Sequence, residues 1–303
     1  MLTKSAIDID PELLRRSADA QHHAFAESWD HITKESTGHV PTILATLVPN
    51  GPWAWAIMTH PQADGSINLP VNTNYEGIEE MYHMIRGASD VLSVEPIIDV
   101  RGTWYSFQED YARSRVKATG EERGFEMLLV LPVTRGPGIT GELAWTKMDR
   151  ALLGKDLPLA EPTKTPLDMR RHMLALHDQF LDALRANNAS AMTAGFSNGC
   201  QSAVRDYVED TGTITGLDDI EGLRTHYEKF FELFEIQSAE VLQRVVQDWY
   251  LFAEVRLEVV ARSGDDAGER LAFHTASLFV PGKEDKFIVH IGHGTDLAPQ
   301  TVS

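Results

Sequence analysis

The chain repeats itself once, and that repeat fixes most of what it can fold into. Glu76-Gly77-Ile78-Glu79-Glu80-Met81-Tyr82 returns as Glu221-Gly222-Leu223-Arg224-Thr225-His226-Tyr227, a shared E-G-[IL]-x-x-x-Y displaced by 145 positions. At the same displacement Trp104-Tyr105-Ser106-Phe107 returns as Trp249-Tyr250-Leu251-Phe252, and Glu109 falls on Glu254. Nearer the start of each half, Pro11 to Arg16 matches Pro166 to Arg171 at a displacement of 155, which reads as about ten extra residues in an early loop of the first half. Solenoid repeats run only about 20–50 residues, so this period means a duplicated domain. The halves are 1–151 and 166–303, joined by a linker over 152–165 in which Gly154, Pro158 and Pro162 stand among charged residues.

Charge narrows the partners. Lys and Arg number 27 against 45 Asp and Glu, a formal charge of -18, so a phosphate backbone or an anionic lipid surface is repelled and neither nucleic acid nor membrane is expected as a partner. The first residues lack the apolar core of a signal peptide and no run of about 18 apolar residues occurs, which points to a cytoplasmic protein. Cys200 is the single cysteine, so neither an intrachain disulfide nor a cysteine-based zinc site can form. No H-E-x-x-H, P-loop or G-x-G-x-x-G in its proper setting occurs; the expectation is no metal and no cofactor, with a small hydrophobic organic molecule as partner.

Periodicity sketches each half. Met169, Met173, Leu176, Phe180 and Leu184 recur at helical spacing, and Leu14, Ala18, Phe25 and Trp29 repeat the pattern in the first half, where Asp30-His31 closes the helix. A short strand follows, Trp53 to Met58 and Ser202 to Val208, then the helix carrying the E-G-[IL] motif. The remainder is β-branched and aromatic: Val94 to Lys117 and Ala239 to Arg262, then Phe125 to Val133 with Ile139 to Trp145, and Leu271 to Val280 with Phe287 to Ile291.

Helix, strand, helix and an antiparallel meander, twice over, resembles the NTF2-like superfamily. Arg205-Asp206-Tyr207, Gly212-Thr213-Ile214-Thr215-Gly216-Leu217 and Gly292-His293-Gly294-Thr295-Asp296 look most like its SnoaL-type domains. The resemblance implies an α+β fold of two tandem cone-shaped domains, each a curved antiparallel sheet wrapped around helices to enclose one pocket. It does not fix a reaction. The reading that follows is a cofactor-independent lyase, dehydratase or isomerase working by general acid–base catalysis on an aromatic, polyketide-like or steroid-like alcohol or ketone, including elimination from a phenolic dimer with loss of water or a small aldehyde. The alternatives are an epoxide hydrolase or polyketide cyclase, and a non-catalytic binder of a hydrophobic metabolite. Single-domain relatives pair, so the tandem forms either an intrachain pseudo-dimer or a homo-oligomer.

Strand alternation nominates the working half. In the second half one face of the long strand is Trp249, Leu251, Ala253, Val255 and Leu257; the matching face in the first is Trp104, Ser106, Gln108 and Asp110, polar where its twin is aliphatic. Burying such groups without partners is costly, which suggests a ligand-filled or wet pocket. Turning the strand over would instead put Tyr105, Phe107, Glu109 and Tyr111 inside. His22 sits on the apolar stripe of the first helix and the displacement of 155 lands it on His177, so an imidazole faces each core, either as a buried donor or as a general base oriented by Asp110 or Asp30. The resemblance alone supports Asp30. The catalytic candidates are therefore His22, Asp30, His60 and Asp110. Trp53, Trp55, Tyr75, Tyr82, Trp104, Ser106, Gln108 and Glu142 are the candidates for holding substrate; Glu142 is a polar residue among apolar neighbours and matches His290.

Overall fold

The computed structural model describes residues 11–58, 69–133, 136–147, 164–206, 208, 214–264, 266–282, 285–294 and 300–301. In the first half, helices α1 (Pro11–Ser36) and α2 (Val40–Leu44) precede strand β1 (Ala54–Met58), a short β2 (Val71–Asn72) and helix α3 (Tyr75–Ala88). Four strands close it: β3 (Ser89–Arg101), β4 (Tyr105–Val116), β5 (Glu122–Pro132) and β6 (Gly141–Thr146). The second half repeats this as α4 (Pro166–Arg185), α5 (Ala189–Thr193), β7 (Phe196–Arg205), β8 (Thr215–Leu217), α6 (Ile220–Leu233), β9 (Phe234–Val246), β10 (Leu251–Ala261), β11 (Arg270–Pro281) and β12 (Phe287–Gly294), with β13 (Gln300–Thr301) added on β11. The sheets run β2-β1-β6-β5-β4-β3 and β8-β7-β12-β11-β10-β9, antiparallel except where β1 meets β6 and β7 meets β12. Register shifts in the β3/β4 and β9/β10 ladders bend each sheet into a cone around its helices, the fold that the resemblance implied. The linker expected over 152–165 lies outside the described residues apart from its last two.

Both repeated motifs have structural jobs. The E-G-[IL] motif starts α3 and α6: Asn74 and Asp219 cap the helices by accepting from the N–H of Gly77 and Gly222, and Glu76 and Glu221 sit in the first turn, where a negative charge is favoured. A Cβ on Gly77 would lie 2.9 Å from Asn72 Oδ1, so the close approach of that side chain needs glycine.

The W-Y-x-F-x-E motif joins the two halves. Trp104 Nε1 and Tyr105 Oη donate to Glu254 at 3.1 and 2.9 Å, and Trp249 Nε1 and Tyr250 Oη donate to Glu109 at 3.1 and 2.8 Å. Between these reciprocal clasps Phe107 stacks on Phe252, ring centroids 4.2 Å apart and planes within 5°. One apolar cluster runs through the contact, with Tyr105, Phe107, Leu128 and Val130 meeting Tyr250, Phe252, Ala276 and Leu278. The sheets thus pack back to back. Ser106, Gln108 and Asp110 alternate with these interface residues and face the concave side, as the first of the two strand assignments has it. Trp104 does not go with them: β4 begins at Tyr105, the alternation stops there, and the indole turns to the interface.

The first helix differs from its expected form in two ways. It runs on past Asp30-His31 to Ser36, and His22 is exposed. The buried stripe is Ala24, Ser28, His31 and Ile32, whereas Trp29 is 44% exposed. The displacement of 155 aligned the helix starts, but α1 has 26 residues and α4 has 20. Their ends, Ser36 with Arg185, and the following caps, His39 with Asn188, match at 149. His177 therefore corresponds to Ser28, and the partner of Phe180 is His31.

Candidate active site

A cavity of about 270 Å³ opens inside the first half, walled by apolar side chains including Ile32, Ile57, Val94, Phe125, Met127 and Leu129. The polar groups at its floor come from three elements. Glu142 rises from β6, paired across the parallel ladder with Trp55 of β1; Tyr82 and Arg86 lie one turn apart on α3; Glu35 lies one turn beyond His31 on α1.

These side chains form one hydrogen-bonded unit. Tyr82 Oη and Trp55 Nε1 both donate to Glu142 Oε2, the indole at 3.1 Å, and His31 Nε2 stands 3.5 Å from the same oxygen and 3.1 Å from Tyr82 Oη. Thr46 fixes the imidazole from behind. Its single hydroxyl proton goes to the carbonyl of Ile43 at 2.6 Å, so its oxygen accepts from His31 Nδ1, also at 2.6 Å. That leaves Nε2 as the nitrogen turned toward Glu142. Arg86 donates to Glu35 at 2.9 Å, both being largely buried.

Environment drives the two carboxyls apart. Burial alone would raise Glu142, but the hydrogen bonding and charge of His31, with the donors Tyr82 and Trp55, outweigh it and hold the group below the ordinary carboxylate range. Glu35 is pushed up to about 7, first by burial and then by the charge of Glu142, against the opposing pull of His31 and Arg86. Burial and the neighbouring Glu142 also raise Tyr82 well above the usual phenol value. His31, Glu35 and Glu142 each place one donor atom within 4.8 Å of the others, the one such His/Cys/Asp/Glu triple among the described residues; in this structure those atoms are engaged by protein partners, the Glu35 carboxylate by Arg86.

The sequence-nominated residues scatter around this centre. Trp55, Tyr82 and Glu142 are brought together in it. Asp110, Gln108 and Ser106 are buried on the concave face of β4 but do not line the cavity; both Asp110 oxygens, Gln108 Oε1 and Ser106 Oγ have no hydrogen-bond partner in the protein. Burial, then the charges of Asp99 and Glu109, raise Asp110 to about 7. Asp30 is exposed and paired with Lys34 at 3.1 Å, one turn along α1. Trp53 donates to the carbonyl of Val48 at 3.0 Å and packs against the partly exposed Tyr75, away from the cavity. His60 lies outside the described residues. His31, Glu35 and Arg86 were missed; the spacing i, i+4 from Ala24 through Ser28 to Ile32 was the signal that could have placed His31 and Glu35 on the inner face.

No protein-family model matches the sequence, and no curated protein does. Solved structures align with one half at a time. An epoxide hydrolase/cyclase-like enzyme of pyran-ring formation in the polyether salinomycin aligns over 42% of this chain and 92% of its own, at 9% identity and a TM-score of 0.35. An LEH-like epoxide hydrolase from Mycobacterium tuberculosis aligns over 43% and 84%, at 8% identity and a TM-score of 0.32, and TsrD from Streptomyces laurentii over 41% and 89%, at 15% and 0.34. At these identities the likeness is one of fold. No helix among the described residues is long and apolar enough to cross a membrane.

Proposed function

We propose that the first half is a cofactor-independent acid–base catalyst of the lyase, dehydratase or isomerase kind, acting on a small, mainly apolar alcohol or ketone. The observation that supports this is the pair of carboxyls at one cavity floor with opposite proton affinities, Glu142 ionised and Glu35 able to carry a proton near neutrality. Such a split assigns roles. Glu142, oriented by Tyr82 and Trp55 and backed by His31, accepts a proton from carbon or hydroxyl. Glu35, positioned by Arg86, gives a proton to the substrate oxygen as charge develops there. Pockets for drug-sized ligands run from roughly 300 to 1,000 Å³, so a cavity of about 270 Å³ favours a single ring with a short chain over a steroid nucleus. The same pair would serve epoxide opening, with Glu142 activating a water and Glu35 protonating the ring oxygen.

The test uses 4-hydroxy-4-phenylbutan-2-one, whose loss of water gives a conjugated enone visible by absorbance, and styrene oxide in heavy-oxygen water. Turnover of the hydroxyketone that falls about 10²-fold or more in Glu142→Gln supports the elimination reading. Heavy-oxygen label in the diol from styrene oxide would move the assignment to epoxide hydrolysis. Full activity retained in both Glu142→Gln and Glu35→Gln would refute both.

A further inference from the structure

Charge on the cavity wall runs against the charge of the chain. Arg86, Arg123 and Lys147 line the cavity against two carboxyls, Glu35 and Glu142, in a protein with 45 acidic and 27 basic residues. Arg86 and Arg123 each carry a buried Nε with no acceptor, although their terminal nitrogens are paired, to Glu35 at 2.9 Å and to Glu121 at 3.0 Å. Lys147 is paired to Glu126. Buried donors without acceptors are uncommon in folded proteins, and two on one cavity point to an occupant rich in acceptors. Arg123 on β5 faces Ser114 across the β4/β5 ladder, and Ser114 lines the cavity beside it. In the second half the displacement of 145 puts Val259 in the place of Ser114, with Leu271 opposite, and Phe231 in the place of Arg86. Neither Arg86 nor Arg123 has a cationic counterpart at these positions of the second half.

We propose that the natural substrate is an organic anion: a small carboxylate with an apolar body, its carboxylate received by Arg123 and Ser114 while its reacting carbon lies at Glu35 and Glu142. This rests on the acid–base reading above. A carboxylate is favoured over other anions because it is planar and presents two acceptors to the fork of one guanidinium, and because the remaining wall is hydrocarbon that suits an apolar body. The terminal groups of Arg86, Arg123 and Lys147 each have a carboxylate partner, so what the wall offers an incoming anion is the unpartnered Nε of Arg86 and Arg123.

Matched probes separate charge from shape: 3-phenylpropanoate, methyl 3-phenylpropanoate and 3-phenylpropan-1-ol, titrated calorimetrically into the full chain at pH 7. The acid is expected to bind at least 10-fold tighter than the alcohol or ester. Arg123→Met should cut that preference below 3-fold with the alcohol's affinity and the urea midpoint unchanged, and Arg123→Lys should restore part of it. Glu142→Gln should keep the preference at 10-fold or more, since it removes a negative charge from the wall, and this keeps the two readings apart: a lost acid–base role shows in turnover, a lost anion site in this ratio. Equal binding of acid and alcohol, an unchanged ratio in Arg123→Met, or no binding of any probe would overturn the proposal.

Discussion

The two halves share a sheet order and a back face, yet their interiors have opposite characters. Where the first half has His31, Glu35, Arg86 and Glu142, the second has Phe180, Leu184, Phe231 and His290 at the matching positions. Phe180, Phe196, Phe279, Phe287 and His290 pack against one another, mostly tilted or edge to face, at ring separations of 4.7–6.4 Å, aromatic where the first half has its polar floor. Hydrocarbon around an imidazole also disarms it. Burial, with the charges of Arg244, His290 and Arg185, lowers His177 to about 3, and burial, with His226, does the same to His290. Nδ1 of each ring has no partner. The lesson is that a duplicated fold can keep its scaffold while one copy exchanges its polar floor for packing.

The largest effect should come from erasing that difference. Installing the second half's residues in the first, His31→Phe with Glu142→His, is expected to abolish turnover while the far-UV spectrum stays native, because only the floor of the cavity changes. Loss of the back-to-back contact comes next. Phe107→Ala and Phe252→Ala each remove one ring of a buried stack, and each should cost about 3–5 kcal/mol by urea unfolding; near-equal values would confirm that the contact is two-fold in energy as well as geometry. Tyr105→Phe and Tyr250→Phe delete one donor to a buried carboxylate, an expected loss of about 1.5–3 kcal/mol apiece in the same assay.

pH should separate the halves. Glu35 and Asp110 have native values raised to about 7 from ordinary values near 4, so between those limits the native state binds more protons than the unfolded chain, and their contribution to stability is lost as pH rises through 7. His177 and His290 are lowered from 6.5 to about 3, so over that window the unfolded chain binds more protons and stability falls as pH drops. Hydrogen exchange read segment by segment should therefore show α4 and β12 loosening first in acid and the first half loosening first above pH 7. The smallest effects belong to His22→Ala and Asp30→Ala. Both residues are exposed, and each change should stay within about 0.5 kcal/mol and leave turnover unaltered.

The fold was legible because duplication prints its pattern twice, so Glu221 to Tyr227 could validate Glu76 to Tyr82 without any other sequence. What the second motif does was not legible: alternation along β4 separates Tyr105, Phe107 and Glu109 from Ser106, Gln108 and Asp110, but it cannot say that the first set meets another sheet. Glu142 stood out as a lone carboxylate in an apolar strand. His31 did not, since Asp30-His31 looks like the end of a helix that in fact continues for five more residues, and the inner stripe there is set by small side chains, Ala24 and Ser28, that carry little hydrophobic signal. Glu35 and Arg86 read as ordinary helix-end charges; only their convergence across α1 and α3 makes them a pair.

The clasp of Glu109 and Glu254 also bears on how such a protein can change over time. In an assembly of two identical chains every substitution is made in both copies at once, so trading a polar floor for phenyl rings would sacrifice both pockets. Covalent fusion lifts that constraint. So long as each copy keeps its tryptophan, tyrosine and glutamate for the other to grip, one interior is free to specialise as ballast while its neighbour stays hollow.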